Sequence, residues 1–394
     1  MASYKHQLAG LGAALLIFSS CNTNGNLTAS GLNPTAFDTT INGKQVQLYT
    51  LTNSNGMEVC LTNYGGRVVS LSVPDKNGKL TDVVLGYDNI KQYADTLNSP
   101  SDFGSSVGRY ANRIKDAKLT VDGKEYKLKA NDNGNCLHGG GTTGWLNQIY
   151  DVKAKTDSSI VFAITAPDGE NGFPGTVKAT ATYTVKSNNT LDIVFEATTD
   201  KETVVNMTNH SYFNLNGDPS KEGMDMVLYI NANNWTPADK FYIPTGEIKD
   251  VTGTPMDFRK PHAIGETIVD TTFDQIKNAT GYDHNWCLNT FSNGKGDDTK
   301  VCASLYSPKT GILLEMYTNE PGVQVYTGNF QGTGISCKHG IKYPKHVSVC
   351  LESQKFPDSP TKFTAGTKGW EFSNPYLKPD EKYYSHVAYK FSVK

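Results

Sequence analysis

Arg113, His138, His210, Asp283, Gln324 and Glu352 each stand inside a short apolar or glycine-rich segment. The segments are GRYANRI (Gly108 to Ile114), CLHGG (Cys136 to Gly140), TNHSYFNL (Thr208 to Leu215), GYDHN (Gly281 to Asn285), GVQVYTGN (Gly322 to Asn329) and VCLESQKFPDSP (Val349 to Pro360). A carboxylate can take a proton, and an imidazole that titrates near pH 6.5 (roughly) can hold or release one. Amide and carboxylate side chains read hydroxyl groups, since Gln both donates and accepts and Asp accepts twice. This inventory suits a polyhydroxylated ligand with an acid and a base at one end.

Each residue also has a plainer reading. Glu352 is in phase with Ser348 and Cys350 and out of phase with Val347, Val349 and Leu351. It therefore lies on the polar side of a strand, facing a cleft or water. Gln324 is out of phase with Val323 and Val325 in the same way. Asp283 reads hydroxyls or forms an Asx turn before His284. His210 is an acid or a hydrogen-bonded structural histidine. His138 precedes glycines that allow close backbone approach, or it orders its own loop. Arg113 binds ligand or pairs with a buried carboxylate. Phe213 and Trp286 stack on a ligand's apolar face or belong to the core.

The elements that must position these groups are strands. Leu191, Ile193, Phe195 and Ala197 alternate with Asp192, Val194 and Glu196, and Thr180 to Val185 is rich in β-branched and aromatic residues. Turn signals separate such runs: DKNGK at Asp75 to Lys79, Asp122-Gly123, SNN at Ser187 to Asn189 and SPKTG at Ser307 to Gly311. Segments with a period of 3.6 are scarce, and a short helix over Asn89 to Thr96 is the one predicted. Many strands at short spacing predict an all-β antiparallel sandwich or barrel. No Pro/Ser-rich linker or fixed-period repeat divides residues 35–394, which read as a single domain.

Lys plus Arg number 37 against 39 Asp plus Glu, a formal charge of −2 over 394 residues. This balance excludes broad electrostatic binding of nucleic acid, and no basic run tracks an anionic membrane surface. No CxxC pair or HExxH segment marks a metal site, and no cofactor is expected.

The N-terminus has its own logic. Lys5 precedes an apolar stretch, Leu8 to Phe18, that is too short to span a bilayer. Ser19 and Ser20 then lead to Cys21, followed by the polar NTNGNLTASGLN. This resembles a bacterial lipoprotein signal: residues 1–20 removed, Cys21 lipidated, and 21–34 a flexible tether. The alternative is an ordinary secretory signal with an incidental cysteine. Either places the chain outside the cytoplasm, in the periplasm or, on the lipoprotein reading, on the outer membrane with the lipid anchor as its only membrane contact. Export permits disulfides. The spacings of Cys60, Cys136, Cys287, Cys302, Cys337 and Cys350 are nonetheless wide. Cys136, Cys302 and Cys350 read as buried thiols.

Taken in order from about Leu48 to the C-terminus, the motifs resemble the aldose 1-epimerase (galactose mutarotase) family. TNHSYFNL together with LESQKFPDSP carries most of that resemblance. It implies a large twisted β-sandwich, of the galactose mutarotase supersandwich type, whose concave face holds a free aldohexose such as galactose or glucose. It implies interconversion of α and β anomers by ring opening and reclosure, without metal or cofactor. On the matching positions it makes Glu352 the base and His210 the acid. His138 then binds sugar and stabilises charge at the ring oxygen. Asn112, Arg113, Asp283 and Gln324 complete the substrate-binding set. Two other readings of the residues remain: a glycoside hydrolase using Asp283 and Glu352, and a non-catalytic sugar-binding lipoprotein. A phosphosugar epimerase ranks below both, since only Arg109 and Arg113 could meet a phosphate.

Overall fold

Alternation of period two resolves into antiparallel sheets in the computed structural model, which describes residues 27–394. The expected signal segment and Cys21 lie outside the described residues. A nine-stranded back sheet runs in the order Asp151–Lys155, Ser159–Ala166, Val177–Lys186, Thr190–Thr199, Tyr383–Val393, Ile312–Thr318, Ala303–Tyr306, Val227–Ile230, His262–Ala263. A six-stranded front sheet runs Tyr212–Phe213, Val349–Gln354, Gly322–Tyr326, Asp283–Cys287, Asn234–Thr236, Lys249–Asp250. A four-stranded sheet, Leu48–Thr52 to Leu80–Asp82, adds Leu51, Val59, Leu61 and Leu71 to the same core.

The back sheet turns Leu191, Ile193, Phe195 and Ala197 inward, as the alternation predicts. Val323, Val325, Val349 and Leu351 of the front sheet meet them in one apolar cluster. Each such Val, Leu, Ile or Phe side chain removed from water contributes about 1.5–3 kcal/mol, so the two sheets close face to face as a sandwich. The Tyr389 hydroxyl ties them, donating to the Leu351 carbonyl at 2.8 Å. Phe213 and Trp286 are both fully buried in this cluster. They are core residues and take no part in stacking on a ligand.

The second face of the front sheet departs from expectation. Every residue of Val349–Gln354 is buried, polar positions included. Cys350 packs with Tyr212 and Tyr326 in a separate cluster. The polar phase of this strand thus faces a closed cleft and not water.

Asn89 caps the expected short helix, Ile90–Ala94, its side chain accepting from the Gln92 N–H at 3.0 Å. Two further helices, Asp274–Ala279 and Ser359–Thr364, have 6 residues each. Such lengths barely exceed one turn, so no periodicity announces them. The folded body also begins earlier than residue 35. Leu32 is buried, and the Leu32 N–H donates to the Thr28 hydroxyl at 2.9 Å. The described cysteines are free thiols, all buried except the half-buried Cys287. Among the described residues no helix is long and apolar enough to cross a membrane.

Candidate active site

Cross-strand register builds the floor of the site. Asn285 lies opposite Gln324, and Gln324 opposite Glu352, so the three share one face of the front sheet. One step along, Asp283, Tyr326, Cys350 and Tyr212 form a second row. The strand Thr208–His210 pairs with Ser105–Val107, placing His210 opposite Ser105. A two-stranded ladder, Arg113–Ile114 with Cys136–Leu137, brings Asn112 and Arg113 beside His138. These pieces enclose a cavity of about 310 Å³ whose wall includes Asn112, Arg113, His138, His210, Asp283 and Glu352.

His210 and Glu352 meet at its floor, Nε2 to Oε1 at 3.5 Å, with side chains 5% and 3% exposed. His210 Nδ1 and Glu352 Oε2 have no hydrogen-bond partner in the protein. Burial pushes the Glu352 carboxyl well above the usual carboxylate range, and the charges of Asp283 and Asp102 push the same way against Arg113. Burial pushes the His210 imidazole down, with Asp102 opposing. Each group is thus driven toward its neutral form. A proton moved from one to the other leaves the net charge of the pair unchanged. The His210 ring is fixed by stacking on Tyr212, centroids 4.9 Å apart at 18°.

His138 is held differently. Its backbone N–H donates to the Asn112 carbonyl at 3.1 Å, and its ring Nδ1 accepts from the Asn112 backbone N–H at 3.2 Å. Both residues take positive φ, 50° and 61°, to close this pair. Burial drives the imidazole down to about 3, so the ring is neutral. With Nδ1 accepting, the proton sits on Nε2, and His138 is a fixed donor. Asp102, His138 and His210 bring three ligand atoms within 4.8 Å of one another. They do not fit a metal, because the ring nitrogen of His138 left free by Asn112 carries a hydrogen where a metal needs a lone pair.

Asp283 and Gln324 act as a unit. Gln324 Nε2 donates to Asp283 Oδ1 at 2.7 Å. Asp283 lies on the strand Asp283–Cys287, not in an Asx turn, and it reaches the cavity wall while Gln324 supports it from behind. Arg113 lines the cavity, donates through Nε to Asp132 at 2.7 Å, and lies 4.7 Å from the Tyr242 ring centroid. It thus lines the cavity and makes a structural ion pair at the same time.

The aldose 1-epimerase family model matches residues 47–390. The galactose mutarotase of Bos taurus is 39% identical over 341 residues, covering 86% of this chain and 92% of its own. The aldose 1-epimerase of Escherichia coli K12 is 35% identical over 350 residues, 89% of this chain and 96% of its own. The crystal structure of an aldose epimerase homologue from C. elegans superposes with a TM-score of 0.77 at 29% identity, covering 88% of this chain and 99% of that one.

The chain belongs to the aldose 1-epimerase family.

Two residues of this epimerase-family site escaped the sequence. Asp102 lines the cavity and its charge acts on both histidines. It is positioned by the buried Arg67, whose Nη1 donates to the carbonyls of Ser101 and Phe103, each at 3.1 Å. SPSDFG reads only as a loop, so nothing in it points to a cavity. Tyr326 lines the same cavity, and in GVQVYTGN nothing distinguishes it from any strand aromatic. Arg109, by contrast, spends its Nη1 on the carbonyls of Pro174 and Gly175, each at 2.9 Å, and faces away from the site. It is unavailable to a phosphate.

Proposed function

We propose that this family member is an aldose 1-epimerase acting on free aldohexoses such as galactose or glucose, with Glu352 as base and His210 as acid. The observation that carries the proposal is the buried Glu352–His210 pair at the floor of the cavity. Glu352 as carboxylate takes the proton of the C1 hydroxyl while His210 as imidazolium gives its proton to the ring oxygen. The C1–O5 bond breaks, leaving an aldehyde at C1 and a hydroxyl at C5. Rotation about C1–C2 presents the other carbonyl face, and the same two transfers run backwards. The pair begins and ends each cycle holding one proton. Each positioned transfer contributes roughly 10²–10⁴ in rate.

His138 donates from Nε2 toward the ring oxygen and steadies the charge that develops there. Asp283, held by Gln324, accepts from sugar hydroxyls, and Arg113 and Asn112 complete the grip. The two remaining readings, a hydrolase using Asp283 and Glu352 and a non-catalytic sugar-binding lipoprotein, gain nothing from relatives named galactose mutarotase and aldose 1-epimerase. Export and lipidation at Cys21 belong to the same proposal, supported by the short apolar stretch and the small residues before the cysteine. Mass spectrometry of the mature N-terminus tests that part.

Polarimetry on freshly dissolved α-galactose and α-glucose tests the activity. The purified protein should speed the approach to equilibrium rotation. Rates equal to buffer on both sugars would overturn the proposal.

A further inference from the structure

Asp102 is half-buried on the cavity wall, and its hydrogen bonds run through its backbone. Its carbonyl accepts from the Ser105 N–H at 3.0 Å and from the Ser105 hydroxyl at 2.9 Å. Among the described residues its carboxylate makes no hydrogen bond and no ion pair. Arg67, the buried cation that holds this loop, does not pair with it. Besides the carbonyls of Ser101 and Phe103, the guanidinium donates to the Leu146 carbonyl at 2.7 Å and to Asn147 Oδ1 at 3.2 Å. All four acceptors are neutral. The loop is gripped by its backbone, and the carboxylate is left to the cavity.

There its polar atoms come within 4.8 Å of ring nitrogens of His138 and His210. His138 is neutral and fixed by Asn112, so His210 is the imidazole that can respond. The front sheet presents Glu352 to it at 3.5 Å and Tyr326 edge-on at 6.4 Å. Tyr212 stacks on it, and the His138 ring lies 5.4 Å away. Burial pushes both phenols up, so neither carries charge. The charges that bear on His210 are therefore those of Glu352, Asp102 and Arg67, with Arg67 opposing Asp102. Burial drives Glu352 and His210 each toward the neutral form, yet the proposed turnover uses carboxylate and imidazolium together. A carboxylate within roughly 4–6 Å favours the charged imidazole by about tenfold or more. Asp102 is the first charge to act on His210, whereas at Glu352 it comes behind Asp283.

We infer that Asp102 is a positioning residue for the acid: its unpaired carboxylate holds the transferable proton on His210 while Glu352 works as carboxylate. This rests on the epimerase reading of the floor. It adds to that reading a third carboxylate, which acts through His210 and reads no sugar hydroxyl.

The test is the pH profile of mutarotation, on whichever of α-galactose and α-glucose the wild type turns over faster. It compares the wild-type protein with Asp102→Asn, Asp102→Ser and Asp102→Glu. All three variants keep the backbone grip of Arg67 and Ser105, thermal melts confirm folding, and either neutral variant alone decides the question. Asp102→Asn and Asp102→Ser should each lower the plateau kcat about tenfold and move both limbs of the profile about one pH unit toward acid. KM should stay within about twofold, since no sugar contact is lost. Asp102→Glu should bring the limbs back toward those of the wild type. A lower kcat with unmoved limbs would make Asp102 merely structural, and a rise in KM alone would make it a hydroxyl contact. Either result, or an unchanged or raised plateau in the neutral variants, overturns the inference while the epimerase reading stands. No turnover of either sugar by the wild type overturns both.

Discussion

His210 and His386 both sit beside carboxylates, and the fold moves them in opposite directions. His386 lies on the back-sheet strand Tyr383–Val393, between Asp298 on Nδ1 at 2.7 Å and Asp192 on Nε2 at 3.0 Å. Burial works against its charge, but the two carboxylates outweigh burial and raise its pKa. His210 is more deeply buried, meets Glu352 only at 3.5 Å and leaves Nδ1 without a partner, so burial prevails and its pKa falls. Saturating both ring nitrogens with carboxylates favours the charged imidazole and ties two elements together. Leaving one end of a buried pair unsatisfied makes a proton that a ligand can move. On the proposed mechanism the same residue types serve structure in one place and chemistry in the other, and the difference lies in how many hydrogen bonds are already spent.

The largest effects should come from breaking the unsatisfied pair. Glu352→Gln and His210→Asn should each lower kcat by roughly 10²–10⁴ with the fold intact, since each removes one proton-transfer partner. Near-normal turnover in Glu352→Gln would remove Glu352 from the base role and erase the contrast with His386. The pH profile sharpens it. Activity should be bell-shaped in pH, because the proposed pair must hold one proton, neither two nor none. The alkaline limb should lie above the ordinary carboxylate range, as burial of Glu352 requires. A flat polarimetric profile would contradict a shared proton.

A smaller effect concerns stability. His138 titrates at about 3 in the folded protein, against about 6.5 in an unfolded chain. Between those values the unfolded state binds a proton that the folded state refuses, so stability falls as pH drops through this window. His138→Gln should flatten that acid-side fall in urea midpoint or melting temperature. An unchanged slope would mean that the ring is solvated, and its role as a fixed neutral donor would go with it.

Much of this was legible in the chain. The alternation around Leu191 and Val349 gave the strands, because a sheet with one face on a core writes period two into its sequence. Glu352 and Gln324 were placed on the correct face by phase alone. Phase could not say that this face is roofed over, since roofing comes from residues distant in sequence, Ser101 to Phe103 and Phe330 to Cys337 among them. Asp102 was invisible for the same reason. Its importance arises from an arginine 35 positions away, counted from Arg67 to Asp102, holding a loop by its carbonyls. The step that puts Gln324 behind Asp283 depends on side-chain direction within one face, which alternation does not resolve.

The satisfied cluster offers the smallest and most selective effect. A histidine with a raised folded pKa stabilises fully below its unfolded value of about 6.5, and that contribution is lost as pH rises through the folded value. His386→Gln should therefore lower the melting temperature at mildly acidic pH and have less effect at alkaline pH. The loss should stay below about 1 kcal/mol, because partly solvated ion pairs are weak, and Asp192 keeps Lys186 as a partner. Added salt should shrink the acidic difference further by screening. Turnover should not change, since His386 lies on the back sheet, remote in the fold from the cavity wall. A loss equal at every pH would assign His386 a packing role in place of an electrostatic one. A fall in kcat would show that the two histidine environments are coupled through the sandwich, and the separation of structure from chemistry would have to be abandoned.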